Sequence, residues 1–150
     1  MKENNDIPKF VSIITILLGC YDLLRGFMHT VLLNYSAINI AGLDLSTSTA
    51  SDQLRLLGAF GMSNFVSGVA LILIGLYARK IALAMLAVIP SAYFIGNLGV
   101  KANLATYAPS QTNWGGREPM LVYFGICVVT FIAGMIMMGI RKKKAQSGQQ

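Results

Sequence analysis

Three side chains able to do chemistry sit inside one apolar run: Asp22, Arg25 and His29. Their spacing of i, i+3 and i+7 puts all three on one face of a helix. A carboxylate, a guanidinium and an imidazole so placed can neutralise one another, hold a polar ligand or pass a proton, since imidazole titrates near neutral pH. Charges inside an apolar span are costly and turn toward a bundle interior or an aqueous cavity. The wider register is Ser12, Thr15, Gly19, Asp22, Gly26 and His29, alternating steps of three and four. One polar and small seam therefore runs along this helix.

Three further apolar runs answer it. The second carries Gly61, Gly68 and Gly75, seven apart, with Asn64 between the first two. Small residues there let helices approach closely. The third carries Tyr93, Asn97 and Lys101, four apart, with Pro90 one turn earlier, and the fourth carries Tyr123, Cys127, Thr130 and Gly134 on one face. At a rise of about 1.5 Å per residue, Asp22, Asn64, Tyr93 and Cys127 each lie roughly 18–20 Å from the same boundary. Arg25 and Asn97 lie about one turn further, and His29 beyond them. This convergence predicts a polar pocket in the outer half of a four-helix bundle. Its ligand-binding residues are Asp22, Arg25, His29, Asn64, Tyr93 and Asn97. A purely structural reading competes with it, in which Asp22 and Arg25 neutralise each other and Asn64 and Tyr93 satisfy the remaining hydrogen bonds. No catalytic residue is assigned. One histidine without a cysteine or carboxylate cluster makes no metal site. Phosphate-loop, dinucleotide, serine-hydrolase and zinc-protease motifs are absent from the sequence.

The elements that must position these residues follow from composition. Of 150 residues, 55% are hydrophobic and 12% charged, about half the charged fraction of a soluble domain. That excludes disorder and an ordinary soluble enzyme. The net charge of +6 does not point to nucleic acid, because no basic stripe interleaves with aromatics. Four windows reach the roughly 20 residues a bilayer core requires: Phe10 to Leu33, Leu56 to Ala78, Ile81 to Val100 and Met120 to Ile140. Long, continuous apolar runs without alternation are helices. The expected fold is all-α: a polytopic membrane protein with four transmembrane helices in one antiparallel bundle.

Eight of the twelve Lys and Arg residues lie at the N-terminus, at Arg79-Lys80 and at the C-terminus, against three in the other loops. Positive charge stays inside, so both termini are expected to be cytoplasmic in a multi-pass protein of a bacterial or archaeal plasma membrane. The brevity of the Arg79-Lys80 turn predicts a tight hairpin. The segment from Asn34 to Gln53 reads either as a small hairpin or as a stretch resting on the membrane surface. Thr49 and Asp52 read as a capping box that starts the second helix before the membrane. Tyr107 and Trp114 suit an interfacial aromatic belt. Residues 141–150 read as a basic, disordered tail able to touch anionic lipid. Leu17-Leu18-Gly19-Cys20 looks like a lipoprotein cleavage site, but apolar sequence continues to Leu33, unlike a short secretory core, so the run is read as retained. Cys20 and Cys127 form no CxxC redox motif.

The chain resembles the DoxX-like group of small four-helix bacterial membrane proteins. The resemblance is carried by Gly19, Arg25 and Gly26, by Leu54-Arg55-Leu56-Leu57-Gly58-Ala59-Phe60-Gly61 and by the basic turn Arg79-Lys80. It implies a membrane bundle and, through members tied to quinone-coupled oxidation, a quinone as cofactor. The residues themselves favour a non-enzymatic protein that binds a small or lipidic ligand, or that serves as an accessory subunit of a membrane complex. Its expected partners are membrane lipids and either further copies of itself or a partner membrane subunit. Two alternatives stand beside this. A quinone-linked redox component would use Asp22, Arg25 and His29 for protons, with a partner supplying the electron carrier. An oligomeric small-molecule transporter would need several copies, and the inverted repeats of transporters are not visible in the sequence.

Overall fold

The computed structural model describes residues 7–106 and 115–147. Among them the chain is all-helical: α1 Lys9–Met28, α2 Leu33–Asn39, α3 Ala50–Tyr77, α4 Arg79–Leu104 and α5 Arg117–Ser147. Four of the helices, α1, α3, α4 and α5, are long and apolar enough to cross a membrane by length and composition. Lys2, Tyr107 and Trp114 lie outside the described residues.

The small-residue seams determine how α1 meets α3. Gly19 packs on Gly68 and Ile72, Gly26 on Gly61 and Phe65, and Gly75 on Ser12 and Ile16. Residue numbers fall along α3 as they rise along α1. This is the most extensive helix pairing in the molecule, and the glycines are what permit it. On the other side, Val11 and Leu18 of α1 pack with Leu83 and Leu86 of α4 and with Tyr123 and Cys127 of α5 in one apolar core.

Several boundaries differ from the expectations. The first apolar window runs to Leu33, but α1 ends at Met28 and a separate short helix begins at Leu33. Hydropathy cannot register this break, because residues on both sides of it are apolar. His29 leaves helical geometry at ψ 3° and turns its ring to Ser36 of α2, while the Thr30 hydroxyl donates to the Gly26 carbonyl at 2.7 Å. The expected alternative of a hairpin between Asn34 and Gln53 is replaced by α2 and a turn. Gly42, at φ 64°, supplies the left-handed residue that lets the Leu43 N–H reach back to the Ala37 carbonyl at 2.9 Å. Ser46 then donates to Asp44 Oδ1 through its N–H at 2.9 Å and its hydroxyl at 2.7 Å. These two bonds favour the carboxylate and hold Asp44 below the usual range.

Helix α3 begins at Ala50, where the Thr49 signal placed it, but the expected capping bond does not form. The Thr49 hydroxyl instead accepts from Gln53 Nε2 at 3.1 Å. One residue, Ala78, separates α3 from α4, and Arg79 and Lys80, expected to form the turn, instead open α4. The basic C-terminus also differs from the expectation of a disordered tail over 141–150, since α5 continues through Ser147. Lys and Arg are good helix formers, and they extend the helix begun by the apolar run.

Candidate functional site

Asp22 is the centre of the polar cluster. It is only 5% exposed, and both carboxylate oxygens are occupied. Oδ1 faces the Arg25 guanidinium at 3.5 Å. Oδ2 accepts from the Ser67 hydroxyl of α3 at 3.1 Å and from the Tyr123 hydroxyl of α5 at 3.3 Å. Three helices thus meet on one carboxylate. Ser67 shares its hydroxyl with the Asn64 backbone carbonyl, 3.1 Å away, which fixes its rotamer toward Asp22.

Arg25 is held between aromatic faces, with its guanidinium carbon 5.2 Å from the Phe60 ring centre and 5.9 Å from that of Tyr21. Such stacking suits a planar, weakly hydrated cation. A cavity of about 130 Å³ adjoins the pair. Asp22 and Arg25 of α1, Ser67 of α3, Tyr93 of α4 and Tyr123 of α5 reach it among apolar side chains. Tyr93 is held at the rim by Phe124, ring centres 4.9 Å apart.

The six residues expected to form the pocket are not all brought together. Asp22, Arg25 and Tyr93 line the cavity. Asn64 is buried on the α3 face that packs against α1, but it does not line the cavity, and its side-chain N–H donors have no partner among the described residues. His29 is buried farther along, Nδ1 and Ser36 Oγ being 2.5 Å apart, with its ring beside Phe60 at 5.6 Å. It clasps the α1–α2 connection and does not line the cavity. Asn97 is exposed and also lies off the cavity lining. After Pro90 every residue of α4 from 91 to 104 is exposed, Asn97 among them.

Sequence reasoning missed Ser67 and Ser36, and it left Tyr123 in a stripe without a role. Tyr123 could have been found from its place in the stripe with Cys127. Nothing in the sequence distinguishes Ser67 or Ser36 from other serines in apolar surroundings. Cys20 is exposed, Cys127 is buried, and both are free.

The arrangement can hold a neutralised charge pair beside an apolar cavity and present hydrogen-bond donors into it. The Tyr123 hydroxyl is a measurable part of this. Tyr123→Phe keeps the ring against Tyr21 (5.8 Å) and Phe124 (5.9 Å) but removes one donor from the buried carboxylate. It is expected to lower unfolding free energy by about 1.5 kcal/mol, the lower range for a hydrogen bond to a charged group. Denaturation in mixed detergent micelles measures this, and an unchanged midpoint would show that the hydroxyl contributes nothing. Comparison of the chain with family models, curated proteins and solved structures finds no match, so the site is interpreted from its own geometry.

Proposed function

We propose that the protein is a non-enzymatic, multi-pass membrane protein that binds a small or lipidic ligand in the Asp22–Arg25 cavity. Its four long helices form an antiparallel bundle across the cell membrane with both termini cytoplasmic. The observation that carries this reading is the cavity itself. Four helices line one space beside a buried charge pair, and most of the surrounding surface is apolar. Asp22 is already satisfied by Ser67, Tyr123 and Arg25, and the space beside Arg25 is additional to that. Exposed residues such as Leu17 (57%), Val66 (72%), Ile95 (67%) and Val129 (67%) are ordinary against acyl chains and abnormal against water.

Two measurements test it. Mass spectrometry of the purified protein is expected to find a small apolar molecule at near-stoichiometric amount, lost when Asp22 and Arg25 are replaced together. A co-purifying quinone would support the quinone-linked redox reading instead. For topology, single cysteines at Ser48 and Ser147 are introduced into a chain lacking Cys20 and Cys127. In intact cells a membrane-impermeant maleimide is expected to label position 48 and spare position 147. Labelling of 147 from outside would overturn the orientation drawn from the Lys and Arg distribution.

A further inference from the structure

We infer that the cavity takes a neutral lipophile bearing a carbonyl oxygen, admitted sideways between α3 and α4, with that oxygen accepting from Arg25. This rests on the ligand-binding reading above and names the class of ligand. Hydrogen-bond capacity within the cluster is unevenly used. Asp22 already accepts from Ser67, Tyr123 and Arg25. A guanidinium carries five N–H donors, yet Arg25 makes a single 3.5 Å hydrogen bond among the described residues. Its side chain is only 12% exposed. The cavity therefore offers Arg25 N–H groups that face no protein acceptor, and an acceptor is what a ligand can bring.

Charge selects among the acceptors. Asp22 and Arg25 already compensate each other. A carboxylate ligand would leave the site with net negative charge in apolar surroundings, and an ammonium ligand would find the Asp22 oxygens occupied. Both carry the desolvation penalty of an uncompensated buried ion. A carbonyl oxygen meets the donors without adding charge. The remaining wall is Ala70, Leu71, Ile74, Met85, Ile89 and Met120, which suits an alkyl chain. About 130 Å³ has room for a carbonyl and a few carbons, the space of roughly four waters, so a longer chain must leave through the mouth.

The mouth faces sideways. Of the lining residues, Ala70 on α3 and Tyr93 on α4 are the exposed ones, and they mark the two lips. These helices join at Ala78 and pack on each other far less than α3 packs on α1. In the membrane reading this gap opens onto acyl chains. The carbonyl has two sources there: the ester of a bilayer lipid or a free lipophile.

The test uses the full-length protein in nanodiscs of dioleoylphosphatidylcholine or of its di-ether analogue, which lacks ester carbonyls. Four probes with eleven-carbon chains are titrated: 2-undecanone, undecane, undecanoate and undecylamine. Binding is read as a saturable rise in unfolding midpoint. In ether discs 2-undecanone is expected to raise the midpoint and undecane to leave it unchanged. Ala70→Trp, which fills the mouth and leaves the charge pair intact, is expected to weaken the ketone at least tenfold. The double change Asp22→Asn with Arg25→Gln is expected to do the same. A ketone effect in ether discs that disappears in ester discs identifies the bilayer ester as occupant, and an effect in both identifies a free lipophile. Stronger binding of undecanoate or undecylamine overturns the inference while leaving a ligand site in place. Equal ketone binding by parent and Ala70→Trp overturns it too, by placing the probe elsewhere. If no probe binds and nothing co-purifies, the inference and the ligand reading fail together.

Discussion

Gly68→Leu is expected to lower the stability of the bundle by about 3 kcal/mol, the upper end of the usual cost of overpacking. The reason is the distance between two backbones. A Cβ at Gly68 would stand 2.8 Å from the Gly19 carbonyl oxygen and 2.9 Å from the Leu23 side chain. The clash is reciprocal, since a Cβ at Gly19 would stand 2.8 Å from the Gly68 carbonyl oxygen. A side chain can rotate away, but a helix backbone moves only by separating α1 from α3. That separation would draw Ser67, the next residue, away from Asp22. Gly96→Leu is the matched control, because a Cβ at Gly96 meets nothing within 4 Å. Unfolding in mixed micelles of increasing sodium dodecyl sulfate measures both. The control should match the parent, and equal midpoints for parent and Gly68→Leu would sink the α1–α3 register.

The same glycines show why much of this fold was legible. Helical period is fixed, so a seam written as Gly19, Gly26 and Gly61, Gly68, Gly75 can face only one neighbour each, and both sets are buried. Asp22 and Arg25 stood out because charge is rare in apolar sequence. Depth and period do not reveal whether another helix follows a given face. Tyr93 and Asn97 share a face of α4, but only Tyr93 has a ring from α5 against it. No residue of α4 from 91 to 104 is buried, and Asn97 is left exposed. The end of α1 was hidden for a different reason: His29 breaks the helix through a bond to Ser36 of the next one, and a tertiary bond leaves no mark on hydropathy. Ser67 was invisible because a serine gains its role only from what α1 places opposite it.

The second large effect is expected at the charge pair. Asp22→Asn removes the partner of a guanidinium that is almost enclosed, so Arg25 is stranded between Phe60 and Tyr21 beside an apolar cavity. Breaking a buried pair by removing one member costs on the order of 3–5 kcal/mol, whereas replacing both members is often nearly neutral. Asp22→Asn should accordingly reduce yield and unfolding midpoint sharply. Adding Arg25→Gln should restore more than half of the loss. The restored chain retains an amide oxygen at 22 for the Ser67 or Tyr123 hydroxyl but has lost the guanidinium stacked on Phe60, so recovery stays incomplete. The pattern across variants is diagnostic. If Asp22→Asn alone is harmless, water reaches Arg25 and the pair is not sealed. If the double variant is as unstable as the single one, the loss comes from the Ser67 and Tyr123 hydrogen bonds and not from stranded charge. If the double variant folds and still carries the parent's bound molecule, the pair is a packing device and the ligand is held by the apolar wall alone.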